Sequence, residues 1–431
     1  MLERLLTALG ERPALDAAAQ CTRCGFCSQA CPTYVATGRE SHSSRGRNQL
    51  VRLLMEDRLK DPAAAAEALS TCLLCGGCST ACPAQVPTPD LVLEGRRALR
   101  GERGPLAARL MNTLLLRRPD LFEGGLRWGY RLKRLGLDRL ASALGFFRLL
   151  GLKALEDAAL HVEETPRRFL NEELRLDPDL SRPEPRWLYF ATCGSNYLFP
   201  RAGLASVRVL KEALGPGAFL ENRCCGLLGY NYGSLEQTRA LAKANIERLE
   251  ATNTPDSVPL VGDCSSCVAF LKSYPQLFLK DALWRPRAER FAARVRDFME
   301  AVSADALPPS KESAAVSKDI VTYHESCRLL HGQGLSAGPR ALVQAAAGAS
   351  YRPLPESDVC CGGAGAFSFL HPELSDEVLR RKVGNIASTR ARLVAVSSTS
   401  CRLQLAHGLK KYYPDCKVAH VSELLSRVLH G

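Results

Sequence analysis

The sequence predicts a multidomain α+β protein, in which a helical, cysteine-rich region is followed by two α/β domains with parallel sheets. Three observations lead to this prediction. Residues 1–100 contain two cysteine runs of identical spacing, later cysteines recur at a nearly constant offset, and short apolar runs precede the later cysteine groups. At 431 residues the chain is too long for one ordinary core.

Composition places the chain among globular proteins, since 46% of its residues are hydrophobic and 24% are charged. The most apolar stretch, Leu140–Leu155, is interrupted by Arg148 and Lys153, so no transmembrane helix is predicted. Residues Met1–Gly10 are charged and have no signal-peptide core. We therefore expect a cytoplasmic protein, with peripheral contact with the inner membrane as an open alternative.

Eighteen cysteines are many for a chain with no export signal. In a long cytosolic chain they indicate metal ligands or redox centres more than disulfides. Seventeen of them belong to four recurring motif groups, and near neighbours within such groups seldom reach the geometry of a disulfide. The exception, Cys416, is expected to be an ordinary buried cysteine.

The chain divides into four predicted regions. They are a two-cluster domain (1–100), a basic helical connector (101–185), a first Cys-Cys-Gly domain (186–305) and a second one (318–431). The segment Ser303–Lys318, rich in proline, serine and alanine, is interpreted as the linker between the last two.

The last two regions are interpreted as copies of one unit because their cysteines correspond. Cys193 precedes Cys327 by 134 residues, Cys224-Cys225 precede Cys360-Cys361 by 136, and Cys267 precedes Cys401 by 134. Gene duplication explains this agreement and predicts a pseudo-two-fold pair of domains.

Short buried strands are predicted before the cysteine groups of both copies. The predicted strands are Trp187–Ala191 and Pro259–Gly262 in the first copy, and Ile320–Tyr323 and Leu393–Val396 in the second. A helix between strands would place Leu235, Ala242, Ile246 and Leu249 on one face. Alternating strands and helices predict parallel sheets, whose carboxyl edges would gather the cysteines.

The two N-terminal runs have the spacing of bacterial ferredoxins, in which three thiolates of a run bind one [4Fe-4S] cubane and the fourth crosses to the other. One predicted cluster is therefore bound by Cys21, Cys24, Cys27 and Cys82, and the other by Cys72, Cys75, Cys78 and Cys31. Structural zinc sites prefer a two-plus-two spacing, so zinc or inert core cysteines are the weaker interpretation.

The later cysteines predict two further metal sites. The first copy offers five thiols, from Cys193, Cys224, Cys225, Cys264 and Cys267. The second offers four, from Cys327, Cys360, Cys361 and Cys401, because Ser398 stands where the fifth is expected. A multi-iron cluster, a zinc ion and buried inert cysteines all remain open for these sites.

At this point the chain resembles a known family, the iron–sulfur subunits of glycolate oxidase, related to lactate-utilisation iron–sulfur proteins and heterodisulfide reductase subunits. The resemblance rests on Cys21–Tyr34, Ser44–Arg47, Cys224–Gly226, His324–Cys327, Cys360–Gly365 and His371–Leu374. It implies that the chain accepts electrons from a partner FAD subunit that oxidises glycolate, lactate or a similar 2-hydroxyacid. It also implies delivery to quinone or another acceptor, with no catalytic residue for substrate oxidation in this chain.

The resemblance also implies a noncubane [4Fe-4S] cluster on the five thiols of the first copy, as in heterodisulfide reductases. Ser398 departs from that pattern, so an equivalent cluster in the second copy is in doubt. The alternative function is a heterodisulfide-reductase-like thiol or disulfide reductase. It would prefer five cysteines in each copy, and Ser398 argues against it.

The net charge of +12 suggests nucleic acid as a third hypothesis, but the basic residues are dispersed and aromatic content is only 6%. We therefore expect no nucleic-acid partner. Leu140, Leu144 and Phe147 share one helical face near basic residues, which suggests contact with anionic lipid or with a partner subunit.

Three polar side chains near the motifs have open roles. A structural hydrogen bond is expected for His324, with ligation of the second-copy site as the alternative. Arg45 and Arg47 are expected to stabilise reduced clusters, to dock an acidic partner, or to lie on the solvated surface.

Overall fold

The computed structural model describes residues 4–7, 10–100, 110, 113–115, 118–143, 162, 165–180, 184–232, 235–304 and 319–430. The predicted linker Ser303–Lys318 lies outside these residues from position 305 onward. Leu144 and Phe147 of the proposed lipid-facing helix lie outside them too.

The N-terminal region is helical apart from one hairpin. Its elements are β1 (Arg4–Thr7), β2 (Gly10–Pro13), α1 (Ala14–Ala19), α2 (Pro32–Thr37), α3 (Ser44–Met55), α4 (Pro62–Ser70), α5 (Gly77–Thr80) and α6 (Thr88–Arg100). Pro32 follows Cys31 directly and begins α2, where its missing N–H costs nothing. Ser43 caps α3 by accepting the Gly46 N–H at 2.9 Å. Three described helices follow: α7 (Pro119–Arg134), α8 (Leu137–Ala143) and α9 (Leu170–Leu176).

The first copy contains a four-stranded parallel sheet of order β4-β3-β5-β6. Its strands are β3 (Leu188–Phe190), β4 (Ala218–Leu220), β5 (Leu260–Gly262) and β6 (Val295–Asp297). Its helices are α10 (Cys193–Tyr197), α11 (Pro200–Leu214), α12 (Leu227–Tyr232), α13 (Leu235–Glu250), α14 (Ser265–Lys272), α15 (Tyr274–Leu277), α16 (Trp284–Arg294) and α17 (Phe298–Ala301).

The second copy contains a parallel sheet of order β7-β8-β9, with strands β7 (Val321–His324), β8 (Leu393–Val396) and β9 (Lys417–His420). Its helices are α18 (Cys327–Gln333), α19 (Ala337–Ala347), α20 (Phe367–Leu370), α21 (Pro372–Ser388), α22 (Thr399–Tyr412) and α23 (Val421–His430). A parallel bridge from Val321 to Tyr351 takes the place that β4 has in the first copy. The two sheets therefore share one topology, as duplication predicts.

The predicted strands are present within one residue at each end, and β8 has the predicted bounds. The apolar face of α13 is buried as predicted, at Leu235, Ala242, Ile246 and Leu249. The multidomain α+β architecture with parallel sheets is confirmed.

The two copies share a core formed largely beneath α11 and α23. This core combines Val207 and Val261 of the first copy with Val321 and Leu424 of the second. The Ser422 hydroxyl donates to the Ala202 carbonyl across the same contact, at 2.9 Å. Such a continuous apolar contact holds the copies as one body.

The N-terminal region packs against both copies. Its core residues Val51 and Leu91 belong to the same apolar cluster as Leu220 of the first copy, and Leu73 packs with Phe367 of the second. The cysteine runs are thereby held against the cysteine-bearing edges of both sheets.

Candidate functional site

The first proposed cluster site lies near the protein surface. Cys24 is exposed, and Cys21, Cys27 and Cys82 are partly buried. Cys21 and Cys82 pack on the same apolar core although they come from different runs. The backbone N–H of Phe26 lowers the pKa of the Cys24 thiol, which favours the thiolate that iron requires. This proposed cluster site is thus accessible to a partner protein.

The second proposed cluster site is a pocket. Cys72, Cys75 and Cys78 of the second run line it together with Cys31 of the first run. Four thiols around one pocket are the donor set of a [4Fe-4S] cubane, so the residues present fit that group. Burial raises the pKa of Cys78 to about 12, an energetic cost that a bound metal cation offsets.

Arg47 is buried between the two cysteine runs and contacts residues of or next to both. It is 1% exposed and lies 3.7 Å from the Cys31 sulfur. Its guanidinium also donates to the Ala68 carbonyl at 3.0 Å and to the hydroxyls of Thr33 and Thr71 at 3.0 and 2.8 Å. The surface role considered for Arg47 is therefore wrong. A buried cation beside Cys31 is suited to stabilise negative charge on the thiolates.

Arg45 has the surface role that Arg47 lacks. It is part-exposed and forms a two-point ion pair with Glu40, at 2.7 and 3.0 Å. Such exposed pairs contribute little to stability.

The five cysteines of the first copy form a continuous chain of thiol contacts. Cys193 contacts Cys224, Cys225 contacts both Cys224 and Cys267, and Cys264 contacts Cys267. Hydrogen bonds from Cys193 and Cys225 hold the pKa of Cys224 well below its usual range. A hydrogen bond from Cys267 lowers the pKa of Cys264 to about 5. Five linked thiols with two favoured thiolates suit a multinuclear iron site.

The turn that carries Cys224 and Cys225 is held by two buried side chains that sequence reasoning missed. Asn245 donates to the Cys224 carbonyl at 3.1 Å, and the Tyr274 hydroxyl donates to the Cys225 carbonyl at 2.8 Å. Gly226 then turns the chain with a φ of 88°. The available signal was an asparagine at position 245, on a helix face that is apolar apart from Thr238.

Ser398 faces the first copy instead of completing the second. Its hydroxyl lies 3.5 Å from the Cys264 sulfur and 2.9 Å from the Ser266 hydroxyl. The Thr399 hydroxyl also approaches the Cys264 sulfur, at 3.2 Å. Ser398, which stands at the position of the missing fifth cysteine, therefore helps to support the first-copy site.

The four cysteines of the second copy also contact one another in sequence, from Cys327 through Cys360 and Cys361 to Cys401. Cys75 lies close enough for its charge to act on both Cys327 and Cys360. The second copy thus adjoins the second cluster pocket. Cys416 is buried, as expected, in the apolar core that also holds Cys361 and Cys401, and it donates to the Lys417 carbonyl at 3.6 Å.

His324 lacks the hydrogen bond that was expected for it. It is 0% exposed, and neither ring nitrogen has a hydrogen-bond partner. The Ser357 carbonyl accepts the Glu325 N–H at 3.2 Å and lies close enough to act on the pKa of the His324 ring, but it does not reach hydrogen-bond geometry with either ring nitrogen. Burial lowers the pKa of His324 well below its usual range, so the ring is neutral and can act as a metal ligand. The structural hydrogen bond expected for His324 is therefore not formed with full hydrogen-bond geometry, and the role of this residue stays a prediction.

Comparison with known proteins finds the same organisation. Residues 17–86 match the 4Fe-4S dicluster domain family, and residues 187–272 and 321–406 each match the cysteine-rich domain family. The probable glycolate oxidase iron-sulfur subunit of Bacillus subtilis is 28% identical over 417 residues, which cover 94% of this chain and 92% of that protein. The glycolate oxidase iron-sulfur subunit of Escherichia coli is 27% identical over 394 residues, which cover 90% and 89%. Lactate utilization protein A of an Exiguobacterium species is 34% identical over 250 residues, which cover 56% of this chain and 97% of that protein.

Proposed function

Because the chain belongs to the family of glycolate oxidase iron–sulfur subunits and lactate utilization protein A, we propose that it carries electrons from a partner FAD subunit to quinone or another acceptor. The partner would oxidise a 2-hydroxyacid of the glycolate or lactate type. The observation that carries the proposal is the pocket in which Cys31 of one run joins Cys72, Cys75 and Cys78 of the other. Iron–sulfur clusters bound there supply one-electron transfer.

The protein residues have three tasks in this proposal. The two cysteine runs hold two cubane clusters, and the five thiols of the first copy hold a noncubane one. Arg47 supplies positive charge beside Cys31. Substrate oxidation remains in the partner, so no acid–base residue of this chain takes part.

A groove of about 520 Å³ lies beside Cys75, where the N-terminal region meets both copies. Aromatic Tyr230 and Phe270 line it together with charged and polar residues that include Asp90, Arg328 and His331. Burial raises the pKa of the Asp90 carboxyl. A groove that combines aromatic side chains with polar groups beside a cluster ligand suits a small electron acceptor such as a quinone.

Helix α7 and the residue that follows it, Leu135, present one exposed face that suits an anionic membrane surface. Leu121, Trp128 and Leu135 follow one another at intervals of seven residues and are 56%, 64% and 73% exposed. Arg131 and Arg134 lie beside them. An apolar stripe flanked by cations is typical of helices that lie on lipid. No described helix is long and apolar enough to cross a membrane.

Rapid mixing of the complex with its substrate tests the proposed function. The chain is purified with its partner without oxygen and mixed with glycolate or lactate while flavin and cluster absorbance are followed. We expect flavin reduction first and cluster bleaching second, since the clusters receive electrons only from the flavin.

Clusters that stay oxidised beside a fully reduced flavin would contradict the proposed electron transfer. Turnover of a disulfide substrate with no hydroxyacid present would favour the heterodisulfide-reductase-like alternative instead.

A further inference from the structure

Three buried side chains of the second copy converge on one point. His324 ends β7, Cys361 lies in the loop before α20, and Cys401 lies in the first turn of α22. The ligand atoms of these three residues all lie within 4.8 Å of one another. The carboxyl edge of the sheet thus gathers one imidazole and two thiols, which sequence spacing alone does not reveal.

The closeness of the three atoms fits a single ion. Ligands at about 2.3 Å (sulfur) and about 2.1 Å (nitrogen) from a tetrahedral zinc lie roughly 3.6–3.8 Å apart. No other three histidine, cysteine or acidic ligand atoms form such a group in the described part of the chain, which includes every cysteine. The ferredoxin-type runs and the first copy spread their thiols more widely, as clusters of several irons require.

The surroundings of His324 give a second, independent indication of a bound metal ion. Its nitrogens have no hydrogen-bond partner although the side chain is fully buried. A buried polar ring without partners is costly, and a metal ion bound to one nitrogen offsets that cost. Mixed imidazole and thiolate ligands are typical of zinc sites.

We propose that His324, Cys361 and Cys401 bind one zinc ion, with Cys360 as the fourth ligand. The Cys360 thiol contacts that of Cys361, so a small shift brings it to the ion. The proposal deepens the proposed function, since zinc undergoes no redox chemistry and makes the second copy a structural support. Electrons would then leave from the Cys75 cluster toward the groove without entering the second copy.

Metal analysis of the full chain tests this site. The chain is purified without oxygen and without a metal-affinity tag, and zinc and iron are counted per chain. We expect about one zinc and about twelve irons, and a zinc X-ray absorption spectrum of one nitrogen and three sulfur ligands.

Two variants and one control identify the ligand. His324→Ala should lose the zinc and keep the iron, and His324→Cys should keep the zinc with four sulfur ligands. His420→Ala is the matched control, because His420 ends β9 of the same sheet and is 1% exposed. Nδ1 of the His420 ring lies 2.7 Å from the Ser422 hydroxyl and not among the thiols, so the His420→Ala variant should keep the zinc.

Three results would overturn the zinc site: no zinc in the unaltered chain, zinc retained in His324→Ala, or about four irons lost in that variant. The last result would assign a four-iron cluster to the second copy. None of them would affect the two ferredoxin-type clusters, whose iron and spectra are measured in the same samples. Loss of those clusters from a zinc-loaded chain would refute the proposed function alone.

Discussion

Replacing Cys75 with serine will stop electron transfer to the acceptor while the partner flavin is still reduced by substrate. Cys75 lines the second cluster pocket with Cys31 and lies beside both Cys327 and the acceptor groove. Loss of a direct ligand should exceed the roughly 10–100-fold effects typical of outer-shell substitutions. The measurement is the rate of quinone or dye reduction by the purified complex, set against the rate of flavin reduction.

Cys416→Ser is the matched control for this variant. It makes the same chemical change at a buried cysteine outside every thiol group, and acceptor reduction should remain close to that of the unaltered complex. Normal acceptor reduction by the Cys75→Ser complex would show that electrons take a route without this cluster.

Replacing Arg47 with methionine should lower both the stability of the N-terminal region and the reduction potential of the second cluster. The change removes three buried hydrogen bonds from a charged donor and leaves the Ala68 carbonyl without that partner. We expect a loss of about 3 kcal/mol or more. The potential should become more negative, since the positive charge that favours the reduced cluster is gone.

Arg45→Met provides the control two residues away on the same helix. Arg45 pairs with Glu40 in solvent, so its loss should change the thermal midpoint little. Thermal unfolding and an EPR-monitored redox titration of both variants measure the two effects. Equal midpoints and equal potentials for Arg45→Met and Arg47→Met would contradict the role given to Arg47.

The sequence was most informative where a local pattern determines structure. Cysteine spacing predicted which thiols face one pocket, and the β-branched and apolar run Leu393–Val396 predicted a strand with its observed bounds. The strands β6 and β9 are not predicted because charged or polar residues (Arg296 and Asp297, Lys417 and His420) interrupt the apolar run that identifies β3 and β8. Their pairing is fixed by neighbouring strands that are distant in sequence.

The remaining features of the site depend on contacts between distant segments. The convergence of His324 with Cys401 requires β7 and β8 to pair in register. The contact of Ser398 with Cys264 requires the two copies to pack against each other. The burial of Arg47 depends on the position of α4, which presents the Ala68 carbonyl. Spacing within one segment carries none of this information.

An iron and sulfide count with EPR spectra, on the chain purified without oxygen from iron-replete cells, tests the central claim most directly. The proposed function predicts about twelve irons per chain, with the interacting signals of two reduced cubanes and one further four-iron centre. A colourless chain that contains no iron would contradict it.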